Sequence, residues 1–212
     1  MEGVLKPRLR GVLHQWAFFA AVAGGVVLVA LANGVRERLA AWVYAVALAA
    51  MFGASALYHR VDWRTPARRA WARRLDYSMI FLLIAGTYTT FALLALEGAF
   101  AALLLALVWA GAALGVALRF AWIDAPKWVG SIPCLCVGWV GVIALPQLFS
   151  NLGVAAAVLV VVGGGLYTLG ALVYSVRWPD PYPAVFGFHE VFHALVVAGA
   201  VTQFVAVSLV VL

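Results

Sequence analysis

Charged residues are scarce in this 212-residue sequence, at 10% against 67% hydrophobic residues. That scarcity excludes an ordinary soluble domain, because a chain of this length cannot bury so much apolar surface in one core. Cysteine is scarcer still: Cys134 and Cys136 are the whole supply. They lie together in an apolar stretch, too close along a helix to bridge comfortably, so a disulfide framework is excluded and both read as packing residues. Linker composition and internal repeats are also missing, so residues 1–212 read as one domain. The net charge of +6 does not point to nucleic acid. The basic residues sit in short segments between apolar spans, where membrane topology accounts for them first.

What remains is apolar and continuous. Inside lipid only helices or closed barrels satisfy the backbone, and these runs lack the alternation of a barrel strand. A hydrocarbon core of about 30 Å needs roughly 20 helical residues, so charge-free stretches read directly as spans. The sequence predicts an all-α, polytopic bundle of seven transmembrane helices, at about 12–32, 39–59, 76–96, 98–119, 128–149, 152–175 and 187–212. The fifth and sixth come from one uncharged stretch, Trp128 to Val176, which is more than twice too long for a single crossing. Ser150-Asn151-Leu152-Gly153 is its cluster of turn-forming residues and marks the reversal. Residues 1–32 also imitate a secretory signal, ending in Ala30-Leu31-Ala32, but the run is long for one.

Twelve of the 14 Lys and Arg residues fall at the N-terminus and in the even-numbered loops, leaving Arg36 and Arg38 on the other side. Short cytoplasmic loops retain positive charge, so the N-terminus is expected inside and the C-terminus outside, in a multi-pass protein of a bacterial plasma membrane with membrane lipids as its partners. Seven of the nine tryptophans, Trp16 and Trp178 among them, fall near span ends, as interfacial anchors do. Gly111 and Gly115 form a small-residue pair that allows two helices to approach closely.

This topology puts all four histidines, His14, His59, His189 and His193, near cytoplasmic helix ends. His189 and His193 are four apart, one turn along a helix, where both imidazoles reach one metal. Ser55 and His59 repeat that spacing, and Asp76 opens the third span. Three imidazoles with an open fourth position suit Zn²⁺, which lowers the pKa of a bound water to about 7. Asp76 is placed to orient that water or accept its proton. Each residue also has a plainer reading. His14 serves as a packing or interfacial residue, Ser55 bonds its own helix backbone, and Asp76 pairs with Arg73 or Arg74. His189-Glu190-Val191-Phe192-His193 satisfies H-E-x-x-H, which raises an intramembrane protease as a rival, although Glu190 in a first helical turn also simply suits the helix dipole.

Ser55-Ala56-Leu57-Tyr58-His59, Leu75-Asp76-Tyr77, Ile84 to Thr89, Gly165 to Ala171 and Phe188 to His193 together resemble the hemolysin III branch of the progestin and adipoQ receptor family, which includes the adiponectin receptors. The resemblance implies seven helices with the N-terminus inside, and a zinc held by His59, His189 and His193. It gives Asp76 an outer or water-mediated role and sets Ser55 beside the metal. Tyr77 departs from the pattern, which more often has histidine there. The pattern is similar to that of membrane hydrolases such as alkaline ceramidases, which implies zinc-dependent hydrolysis of a lipid amide, with Asp76 and Ser55 as the catalytic candidates. Non-enzymatic alternatives are a receptor-like or membrane-homeostasis protein with structural zinc, and a lytic pore.

Overall fold

In a computed structural model, residues 7–212 are described. Lys6, part of the basic tally, lies outside them. The α-helices are α1 (Val12–Leu31), α2 (Val35–Arg60), α3 (Pro66–Leu94), α4 (Gly98–Ala121), α5 (Lys127–Trp139), α6 (Leu145–Val176) and α7 (Phe188–Val211), with a 3₁₀ turn at Val140–Ala144. Among the described residues there is no strand, only an isolated bridge between Tyr182 and Phe186. Six segments are long and apolar enough to cross a membrane: α1 to α4, α7 and the run Lys127–Val176. The chain is a multi-pass membrane protein.

The run Lys127–Val176 is not one rod. As a straight helix it would hold its ends about 75 Å apart, yet Lys127 Nζ donates to the Tyr174 carbonyl at 3.2 Å and Ser175 Oγ lies 3.1 Å from Ser131 Oγ. The chain therefore doubles back. Its break is at Gly153, with φ of 77° and ψ of 167°, a left-handed backbone that glycine adopts without steric cost. Near the bend, Asn151 Nδ2 donates to the Ala95 carbonyl just past α3.

Helix α3 starts ten residues before the expected span. Thr65 accepts the Arg68 amide in its hydroxyl and Pro66 occupies the first turn, a strong local start signal. Arg68, Arg69, Arg73 and Arg74 consequently ride on helix rather than loop, and Asp76 sits well inside α3 instead of opening it. Apolarity had marked the hydrocarbon-length part of the helix, not its end.

Polar contacts gather at one end of the bundle, the basic end. Arg60 bonds Gln15, Arg10 pairs with Glu190, Arg73 pairs with Asp124, and Arg74 reaches the Phe120 carbonyl. The segment before α1 is fastened to the α6–α7 loop by amides of Arg8 and Leu9 donating to Ala184 and Val185 carbonyls. Away from that end the core is apolar, built around Tyr44, Leu48, Phe52, Phe91, Leu104 and Val207. Gly115 lets the Phe81 ring of α3 lie against α4, and Gly111 does the same for Val137 of α5. The glycine pair thus serves two neighbouring helices.

Candidate metal centre

Two helix ends build the site. His59 lies in the last turn of α2, while His189 and His193 occupy the first two turns of α7. Their rings are buried, and one nitrogen from each lies within 4.8 Å of the others. His189 Nε2 and His59 Nε2 are 3.2 Å apart. Two imidazole nitrogens on one tetrahedral cation, each about 2.0–2.1 Å from it, stand about 3.3 Å apart, so the pair is spaced as co-ligands are. His193 Nδ1 is buried with no hydrogen-bond partner from the protein. A buried polar atom of that kind calls for a ligand. The donor set fits a metal ion.

The flanking groups are ordered around this triad. Asp76 Oδ2 lies 3.6 Å from His59 Nε2. Ser55, one turn before His59 on α2, sits 2.8 Å from His14 Nδ1. His14 in turn stacks on His193, with ring centroids 3.8 Å apart and planes 11° from parallel. His14 is buried and packed, as its plainer reading has it, and Ser55 bonds a histidine rather than its own helix backbone. His14 joins the cluster through these two contacts, and its one signal in the sequence is a depth shared with the other three histidines.

Glu190 takes the plain role. One carboxylate oxygen accepts from the Gly187 amide at 2.9 Å, capping the start of α7, and the other pairs with Arg10 Nε at 2.6 Å. Both oxygens are engaged in holding the N-terminus of α7, which fixes the register of His189 and His193. Tyr77, the departure from the family pattern, shares a 3.2 Å hydrogen bond with Tyr174, whose ring lies 5.7 Å from that of His189.

From this cluster a cavity of about 240 Å³ extends toward the opposite end of the bundle. His14, Ser55, Asp76, His189 and His193 line its polar end; Phe91, Leu104, Leu148 and Val196 line its apolar depth.

A family model described as haemolysin-III related matches residues 3–204. The chain belongs to that family. Among its haemolysin-III relatives, Hemolysin-3 of Bacillus cereus is 29% identical over 184 residues, covering 86% of this chain and 80% of that protein. A Hemolysin-3 homolog of Bacillus subtilis (strain 168) is 28% identical over 166 residues, covering 78% and 74%. The similarity extends to a human monocyte to macrophage differentiation factor, 23% identical over 197 residues, covering 92% of this chain and 79% of the human one.

Proposed function

We propose that this haemolysin-III protein is a zinc-dependent hydrolase of a lipid amide. It crosses a bacterial plasma membrane seven times with its N-terminus in the cytoplasm. The observation that carries this reading is a set of three convergent imidazoles, two of which, His189 and His193, line one end of a largely apolar cavity. A pocket of that shape accepts a chain in its depth and presents the adjoining polar bond to the histidines. The doubling back at Gly153 supports the seventh crossing, and the basic end, carrying nearly all Lys and Arg, supports the orientation.

His59, His189 and His193 are the residues that would hold zinc. Bound there, zinc would supply a Lewis acid to polarise a carbonyl and to make water nucleophilic near neutral pH. Asp76 is the group placed to accept a proton, its carboxylate beside His59 and facing the cavity. Ser55 Oγ, oriented by His14, is the nearby hydroxyl available to a developing oxyanion. The largely apolar walls limit water in the chain-binding depth.

The test is release of fatty acid from lipid extracts by purified protein, followed by chromatography, in wild type and Asp76→Asn. The reading expects release by wild type and its loss in Asp76→Asn with metal content unchanged. Metal-loaded wild type that releases nothing from any lipid class contradicts it and leaves zinc as a structural staple. Lysis, suggested by the name of the Bacillus cereus relative, is the second reading. The apolar depth of the cavity offers little to conduct ions, which favours hydrolysis over a pore.

A further inference from the structure

Arg119, near the basic end of α4, is 9% exposed, and its guanidinium lies over the Tyr77 ring at 4.9 Å from the centroid. Its Nε is buried with no hydrogen-bond partner, and among the described residues no carboxylate pairs with it. Burying a guanidinium is unfavourable unless an opposite charge meets it. A single cation–π contact is too weak to offset that.

The arginine faces two spaces. One is the apolar cavity already described; the other is a polar hollow of about 200 Å³ that shares its Tyr77, Arg119 and Tyr174 wall and is further bounded by Arg73, Asp124 and Lys127. Three cations thus confront one carboxylate, and that carboxylate is already bound to Arg73 with its side chain 79% exposed. Arg73 also keeps a buried Nε without a partner. Lys127 Nζ donates to the Tyr174 carbonyl and lies 4.1 Å from that ring's centroid, which holds its charge at the edge of the hollow. Gly130 of α5 makes room for the arrangement, since a methyl group there would overlap the Arg119 guanidinium.

We infer that Arg119 anchors an oxyanion subsite, which takes the phosphate or carboxylate of an amphiphile whose chain fills the apolar cavity. The inference rests on the reading of that cavity as a lipid site and narrows its ligands to anionic ones. Tyr174 joins the two sites: its ring adjoins His189 and its phenol bonds Tyr77, over which Arg119 lies. Two tyrosine side chains, Tyr77 and Tyr174, thus separate an anionic group held at Arg119 from His189. A planar guanidinium suits the geometry of phosphate and carboxylate, both of which it can grip with two N–H groups.

The test uses full-length protein in phosphatidylcholine nanodiscs, titrated with hexadecyl phosphate, hexadecanol and inorganic phosphate. Hexadecyl phosphate is expected to bind at least about tenfold tighter than hexadecanol, the effect of one charge-assisted hydrogen bond or more. Arg119→Gln removes that preference by weakening hexadecyl phosphate binding, Arg119→Lys keeps part of it, and Gly130→Ala weakens it by displacing the guanidinium. Equal affinity for the two amphiphiles in wild type overturns the oxyanion subsite while the lipid cavity stands. A preference that survives in Arg119→Gln overturns it too, because the phosphate is then held elsewhere. An Arg119-dependent response to inorganic phosphate alone identifies a free anion and overturns the lipid part of the inference. No response to any of the three overturns both readings.

Discussion

Helices α2 and α3 are packed backbone to backbone, whereas α5 and α6 touch at scattered points. A methyl group on Gly86 of α3 would lie 2.8 Å from Ala47 Cβ of α2, and Thr90 Oγ1 reaches across to the Ala40 carbonyl at 3.1 Å. On the other side, α5 carries Pro133 and gives way to a 3₁₀ turn. Its contacts with α6 include Lys127 to Tyr174, Ser131 to Ser175 and Trp139 to Thr168. Gly138 and Gly164, which line the cavity, have nothing within 4 Å of where a Cβ would stand. The difference separates two tasks. The tight pair fixes Ser55, His59 and Asp76 relative to one another, and the loose pair flanks the space in which a chain can lie.

The sharpest way to break this contrast is to remove chemistry from the tight side without altering its packing. Asp76→Asn is isosteric, and lipid hydrolysis is expected to fall by about 100-fold or more, the usual loss of a positioned general base. Metal content, measured by emission spectrometry, stays at the wild-type level. His14→Ala comes next. It takes away the ring stacked on His193 and the partner of Ser55, so metal affinity is expected to drop by about tenfold, as for outer-shell partners of ligands, in a competition titration with a chromogenic chelator. The smallest effects compare the helix pairs directly. Gly86→Ala forces α2 from α3 and costs about 1–3 kcal/mol, seen as a lower midpoint in thermal unfolding. Gly164→Ala, facing open space, changes stability by no more than about 0.5 kcal/mol. Equal losses at both positions would erase the distinction between the two sides.

How much of this was legible in the sequence follows from what each feature depends on. Hydropathy located α1, α4 and α7 to within two residues at each end, because their ends coincide with the limits of the apolar runs. The reversal near Gly153 was legible because a local turn cluster interrupts an overlong apolar stretch. The start of α3 was not. Its first ten residues lie beyond the apolar window, and capping by Thr65 extends the helix where hydropathy is silent. The histidine triad could be read because spacing on α7 and shared depth constrain it twice. His14 and Arg119 could not, since each has a common alternative, a packing histidine or a topology-setting arginine. Their roles depend on His193 and Gly130, which are distant in the chain.

His59, His189 and His193 are proposed to hold one zinc ion, which metal analysis of the purified protein can count. Wild type is expected to carry about one zinc per chain, His189→Ala close to none, and Glu190→Gln the wild-type amount, because Glu190 caps α7 rather than meeting the metal. Wild type purified without chelator that carries no zinc, or His189→Ala that keeps it, would contradict the account.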